Sequence, residues 1–166
     1  MPVPSGPDER VVVTALGAVL GPSGLLLVRR NVEPFAGLWG IPGGKVRPGE
    51  HLDAAVRREL YEETGIRVSF QELCGVVTER VMDRGRLSAS YLLMLCRLKR
   101  TGGRLRRSDE GEVRWFPTDD VRAMKRSLIP SDRMMLDRLF FRKSGSRYYR
   151  CVVRRRSGRY EVASFK

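Results

Sequence analysis

The stretch from Gly44 to Ile66, GKVRPGEHLDAAVRRELYEETGI, constrains this 166-residue chain more than any other. Its helical spacing runs from Leu52 to Thr64 and stops at Gly65, a residue suited to the left-handed turn after a helix. At about 100° per residue, Leu52, Ala55 and Val56 lie within about 60° of Glu59 and define a core-facing stripe. One turn on, Glu59, Glu62 and Glu63 fill that stripe, while Ala54, Arg57, Tyr61 and Thr64 point away. A solvated surface helix is the bland alternative, but three observations weigh against it. The i, i+3, i+4 spacing costs about 0.2–0.5 kcal/mol per like-charged pair. The C-terminal end of the helix dipole disfavours each anion by a further ~0.3–1 kcal/mol. The acids also occupy positions that the preceding turn gives to apolar side chains. Arg58 can pair with Glu62, yet one guanidinium does not neutralise three carboxylates. A hard divalent cation does, and an all-oxygen ligand set selects Mg²⁺ or Mn²⁺ over zinc.

The remaining composition narrows the chemistry further. His51 is the only histidine, so a multi-histidine metal centre is excluded; beside the helix start, it reads as a surface residue. Cys74, Cys96 and Cys151 are odd in number and far apart, which supports neither a disulfide framework nor a zinc ribbon. Whatever reaction the chain performs runs on carboxylates and arginines. The longest apolar run, Val11 to Leu20, is too short for a membrane span, and the first residues, MPVPSGPDER, lack the pattern of a secretory leader. A soluble, cytoplasmic protein without a membrane partner is the expectation. Net charge is +13, and only five of the 32 basic residues are lysine. With Asn31 and Gln71 as the only side-chain amides, this is the composition of a thermophilic protein. The charge also suits anionic nucleotides or nucleic acid.

Along the chain, Val11–Leu20 and Leu25–Val28 read as strands joined by Gly21-Pro22-Ser23-Gly24. Asn31–Leu38 reads as a loop exposing Phe35, and Trp39–Ile41 as a short strand entering Pro42-Gly43-Gly44. Two long strands, Ile66–Arg80 and Leu87–Leu98, follow the helix, with a turn at Asp83-Arg84-Gly85. Glu112–Phe116 is a further strand; Thr118–Met124 and Ser131–Phe141 read as helices. Tyr148–Arg154 and Arg159–Phe165 form a hairpin around Ser157-Gly158, and alternation along it predicts one packed face, on this domain or on a second subunit in a homodimer. Mixed strands and helices predict an α/β layer fold. The expected organisation is a flexible N-terminus over 1–9, a domain over 10–141 and a basic hairpin extension over 142–166. That last segment has nine basic residues against Glu161 alone.

Gly44, five residues, Glu50, seven residues, then Arg58-Glu59-Leu60-Tyr61-Glu62-Glu63-Thr64-Gly65-Ile66 resembles the Nudix box at every fixed position. Chance would produce that match less than about once in 10⁷ placements. Gly17–Leu20, Leu26–Arg30 and Gly37–Gly44 are also similar to the family, and the likeness spans residues 10–125. The resemblance implies an α/β/α sandwich with a mixed β-sheet and hydrolysis of a nucleoside diphosphate linked to another group, with Mg²⁺ or Mn²⁺ as cofactor. Carried over by position, it makes Glu59, Glu62 and Glu63 the metal-binding and base-providing carboxylates and Glu50 a supporting acid. Arg58 would hold these acids by salt bridges, and the main-chain oxygen near Gly44 would be a further metal ligand. Asp109–Trp115 resembles the family's acidic segment, which makes Glu110 and Glu112 candidate metal ligands. Arg29 and Arg30 are candidates for phosphate contacts. Phe35, Trp39 and Tyr91 are candidates for stacking on a base, with core packing as the alternative for each. The run from Arg30 to Gly44 is similar to small ADP-ribose pyrophosphatases, so ADP-ribose or a related nucleotide sugar is the favoured substrate. Nucleoside triphosphates and dinucleoside polyphosphates are the alternatives. A nucleic-acid-binding, decapping-like protein that uses the basic tail is the rival from another class.

Overall fold

The computed structural model describes residues 10–109, 111–142 and 147–166. The expected N-terminal segment 1–9 lies outside them. Strand β1 (Val11–Gly21) turns through Pro22-Ser23 into β2 (Gly24–Arg29), and short β3 (Trp39–Gly40) and β4 (Gly43–Lys45) follow. Helix α1 (Leu52–Thr64) leads into the long hairpin of β5 (Ile66–Asp83) and β6 (Arg86–Gly103). Then come β7 (Val113–Phe116), α2 (Thr118–Ala123), α3 (Pro130–Met135), β8 (Tyr148–Arg156) and β9 (Arg159–Phe165).

The strands form one mixed sheet in the order β3-β2-β1-β6-β5-β8-β9, with β4 on β1 and β7 on β2. Pairings β1–β6 and β5–β8 are parallel and the others antiparallel. Arg84-Gly85 and Ser157-Gly158 turn the two hairpins with positive φ at both residues (49° and 77°, 48° and 75°). This is the type I′ geometry whose twist matches the flanking strands. On one side of the sheet, Val56 and Leu60 of α1 pack with Ala15, Val19 and Leu98. On the other, Met135, Leu136 and Leu139 pack with Leu27, Leu93 and Leu95. Two apolar layers around one sheet give the α/β/α sandwich.

Three local readings are corrected. Phe35, expected to be exposed, is only 5% exposed and sets its ring 4.6 Å from that of Tyr160 on β9. The hairpin supplies a partner that the loop's own sequence does not announce. The helix expected over Ser131–Phe141 ends at Met135 and widens into a π-helical turn over Leu136–Phe141, which buries Leu136, Leu139 and Phe140 together. Thr64, expected to point outward, is buried, donating to the Leu60 carbonyl (2.6 Å) and accepting from the Ile66 N–H (3.1 Å). The C-terminal hairpin packs on this chain's own sheet: β8 pairs with β5, and Tyr149, Cys151 and Val153 enter the core. No described helix is long and apolar enough to cross a membrane.

Candidate active site

Helix α1 presents its acids to a glycine-bearing strand. β4 pairs with β1 through Ala15–Gly44 and Leu16–Gly43. Gly43 has φ 150°, and a Cβ there would lie 2.1 Å from the Ala15 carbonyl oxygen, so only glycine fits. Its N–H donates to Glu63 Oε2 at 2.9 Å. At Gly44 an added Cβ would meet the Glu59 carboxyl carbon at 2.5 Å, so the missing side chain is what brings the main chain against that acid.

Arg58 organises the rest. Its Nε donates to Glu50 Oε1 (2.7 Å) and one terminal nitrogen to Glu50 Oε2 (2.9 Å), a two-point grip. The other terminal nitrogen reaches Glu59 (2.6 Å) and Glu62 (3.1 Å), and the Lys45 carbonyl accepts a further bond at 3.1 Å. The hydrogen bonds from Arg58, helped by the Arg47 N–H, hold the Glu50 carboxyl down to about pH 2. Glu50 in turn raises the Arg58 guanidinium above its usual range. Glu63 is buried and the Glu59 side chain is 12% exposed, as the inward seam requires, but the Glu62 side chain is 48% exposed. Leu60 takes the buried place that the wheel gave to Glu62, since the actual stripe follows Val56, Leu60 and Glu63.

Among the described residues no group of three Asp, Glu, His or Cys side chains is set around one point as a finished metal cage. Glu59 and Glu62 are held by Arg58, and Glu63 by Gly43. The donor set still fits a hard divalent ion. It consists of carboxylates along one helix edge, beside a main chain bared by Gly44.

A second cluster gathers candidates from distant parts of the sequence. Arg29, Arg30 and Glu112 line one open cavity of about 340 Å³ with Asn31, Gly37 and Arg107. Arg29 and Arg30 are steered by bonds from their Nε atoms to the Gly37 and Pro34 carbonyls, both 3.0 Å. Glu112 pairs with Arg114. Glu110 lies outside the described residues. Of the aromatic candidates, Phe35 is in the core, Trp39 is 9% exposed with its ring edge on Phe116, and Tyr91 is half-buried.

Sequence reasoning missed two buried acids. Asp132 of α3 accepts the Ile41 N–H at 2.7 Å and so pins the segment that delivers Gly43 and Gly44. Burial raises its pKa to about 7. Glu79 on β5 is 2% exposed, one of its oxygens has no hydrogen-bond partner among the described residues, and burial raises it to about 7 as well, with Ser131 and Arg30 opposing. A signal for Glu79 was available: it shares the inward parity of Val77 and Val81. Asp132 had none, because its partner is 91 residues away.

The NUDIX domain family model matches residues 9–139. An uncharacterized Nudix hydrolase of Bacillus subtilis, YvcI, is 31% identical over 63% of this chain, which spans 66% of that protein, just under two thirds. A Mycobacterium tuberculosis protein named putative 8-oxo-dGTP diphosphatase 2 is 33% identical over 73% of this chain and 82% of its own length. The crystal structure of a MutT protein from Bacillus halodurans superposes with a TM-score of 0.74 at 24% identity, covering 94% of this chain and 97% of that one, a likeness of fold. Nudix hydrolases generally use a divalent metal such as Mg²⁺. With the box intact from Gly44 to Ile66 and its acids gathered beside the glycine strand, the chain belongs to the Nudix family.

Proposed function

We propose that this chain is a Mg²⁺- or Mn²⁺-dependent pyrophosphohydrolase that cleaves the diphosphate linkage of a nucleoside di- or triphosphate derivative. The observation that carries the reading is the set of Glu59, Glu62 and Glu63 on one edge of α1, with Arg58 holding two of them and Gly43 the third. A bound divalent ion supplies charge neutralisation for the diphosphate oxygens and lowers the pKa of water. The chain's own residues do the rest. Glu59, Glu62 and Glu63, with the Gly44 carbonyl, would hold the ion, and a carboxylate of this trio would take the proton from the attacking water. Arg58 and Glu50 position the trio, because the two-point grip on Glu50 fixes the guanidinium plane from which Glu59 and Glu62 hang. Arg29 and Arg30, joined in their cavity by Arg107, suit phosphate oxygens. Glu112 stands beside them as a candidate further ligand.

Two substrates compete within this class. Similarity of the run Arg30–Gly44 to small ADP-ribose pyrophosphatases supports ADP-ribose or a nucleotide sugar. A nucleoside triphosphate is favoured by the mycobacterial relative, and Met82, in a region where some ADP-ribose enzymes carry proline, counts against ADP-ribose without choosing among the other substrates. The test is a Mg²⁺-dependent hydrolysis panel over ADP-ribose, sugar nucleotides, dinucleoside polyphosphates and oxidised and ordinary nucleoside triphosphates, with products identified. Metal-dependent release of a nucleoside monophosphate from one class supports the reading; no turnover of any class with either metal refutes it.

A further inference from the structure

The long sheet extends past the helix that covers it. Val11 and Val13 share the parity of Ala15, whose side chain lies under α1, yet they are 56% and 36% exposed. The same open face continues through β6 and β5 onto the hairpin, because Val13 aligns with Leu92, Leu92 with Thr78, and Thr78 with Arg150. Its far half is cationic. Arg80 projects beside Val152, and Arg154 aligns with Met82. Arg150 and Lys166 oppose each other across β8 and β9, exchanging both main-chain bonds at 2.7 and 3.0 Å. All four cations are exposed. Glu161, the acid of this hairpin, aligns with Arg154 on the same face and lies 3.9 Å from Arg156. At strand spacings of about 4.8 Å across and 3.3 Å along, Arg150, Arg80 and Arg154 make a zigzag with steps of about 8 Å. Tyr148, 50% exposed, stands at the start of the row with its hydroxyl on Thr78.

We infer that this open sheet face binds single-stranded nucleic acid, independently of the hydrolytic site. A second copy of the chain would set arginine against arginine, so charge complementarity calls for a polyanion. An open face with arginines in rows, apolar side chains between them and an exposed tyrosine can meet phosphates and unstacked bases together, which a duplex does not offer. One aromatic side chain gives little base discrimination, so the binding is weakly sequence-dependent. Across the sheet, β8 lies three strand spacings, about 14 Å, from β1 and four, about 19 Å, from β4 on the far edge of β1, so an occupied face leaves α1 and Gly44 open.

The experiment is fluorescence anisotropy with a labelled single-stranded RNA 20-mer from 50 to 200 mM salt, with the DNA strand, the DNA duplex and polyglutamate as competitors. Four phosphate contacts give a slope of log K against log salt of about −3, a loss of about 50-fold over that range. The variant R150S/R154S removes two contacts and brings the slope to about −1.4. Its melting temperature and turnover stay those of the parent, because both side chains are exposed and remote from the acids of α1. No binding at 50 mM salt overturns the inference. So does an unchanged slope in R150S/R154S, or tighter binding to the duplex or to polyglutamate than to the single strands.

Discussion

Replacing Glu79 with glutamine should stabilise this protein at pH 8 and leave it nearly unchanged at pH 5. The Glu79 carboxyl is 2% exposed, and burial moves it from an ordinary 4.5 to about 7, against a smaller opposing pull from Ser131 and Arg30. Below about pH 4 it is protonated in both folded and unfolded chains and costs nothing. Between 4.5 and 7 the unfolded chain ionises while the folded one does not, so stability falls as pH rises. Above 7 the penalty is complete, roughly 3 kcal/mol. Glutamine keeps the size and an acceptor but cannot ionise. For a chain of this length each kcal/mol moves the melting temperature by about 2–4 °C, so E79Q should melt roughly 6–12 °C above the parent at pH 8. At pH 5 the gap should shrink to no more than about 3 °C. Differential scanning calorimetry at the two pH values reads this directly. Equal destabilisation at both, or no dependence on pH, would refute the reasoning and show that Glu79 is a solvated or fully paired carboxylate.

Other variants probe the site. Glu63→Gln keeps the acceptor for the Gly43 N–H and removes the charge, so kcat should fall at least 100-fold at an unchanged melting temperature; activity within threefold of the parent would exclude Glu63 from the chemistry. Gly44→Ala drives a methyl group into the Glu59 carboxylate and should raise the Mg²⁺ concentration for half-maximal rate tenfold or more, measured by metal titration. Arg58→Lys loses the two-point grip on Glu50 and should lower kcat more than it raises KM, since substrate contacts are untouched. Glu50 ionises only above about pH 2 when folded, so its pairing with Arg58 is complete above pH 4.5 and is lost as pH falls toward 2. Acid titration should therefore show Glu50→Gln losing its stability difference from the parent in that window.

Local periodicity made the framework legible. Helix α1 lies over Leu52–Thr64 as its spacing indicates, with Gly65 at φ 73° closing it, and both late hairpins turn at X-Gly pairs. Local spacing was less reliable where burial depends on remote partners. Phe35 hides under Tyr160, 125 residues on, and the buried stripe of α1 runs through Val56, Leu60 and Glu63, which leaves Glu62 half exposed. The box positions and the pairing of Arg58 with their acids could be read from the chain, but the two-point geometry on Glu50 required the fold of the loop at Arg47. Asp132 anchoring Ile41 is a contact between elements that no periodicity encodes.

The most direct measurement of the central claim is anomalous diffraction from crystals soaked in Mn²⁺. A peak between Glu59 and Glu63 beside the Gly44 carbonyl, lost in Glu63→Gln crystals, is the predicted result. Manganese bound elsewhere, or absent from that edge in crystals of turnover-competent protein, would contradict it.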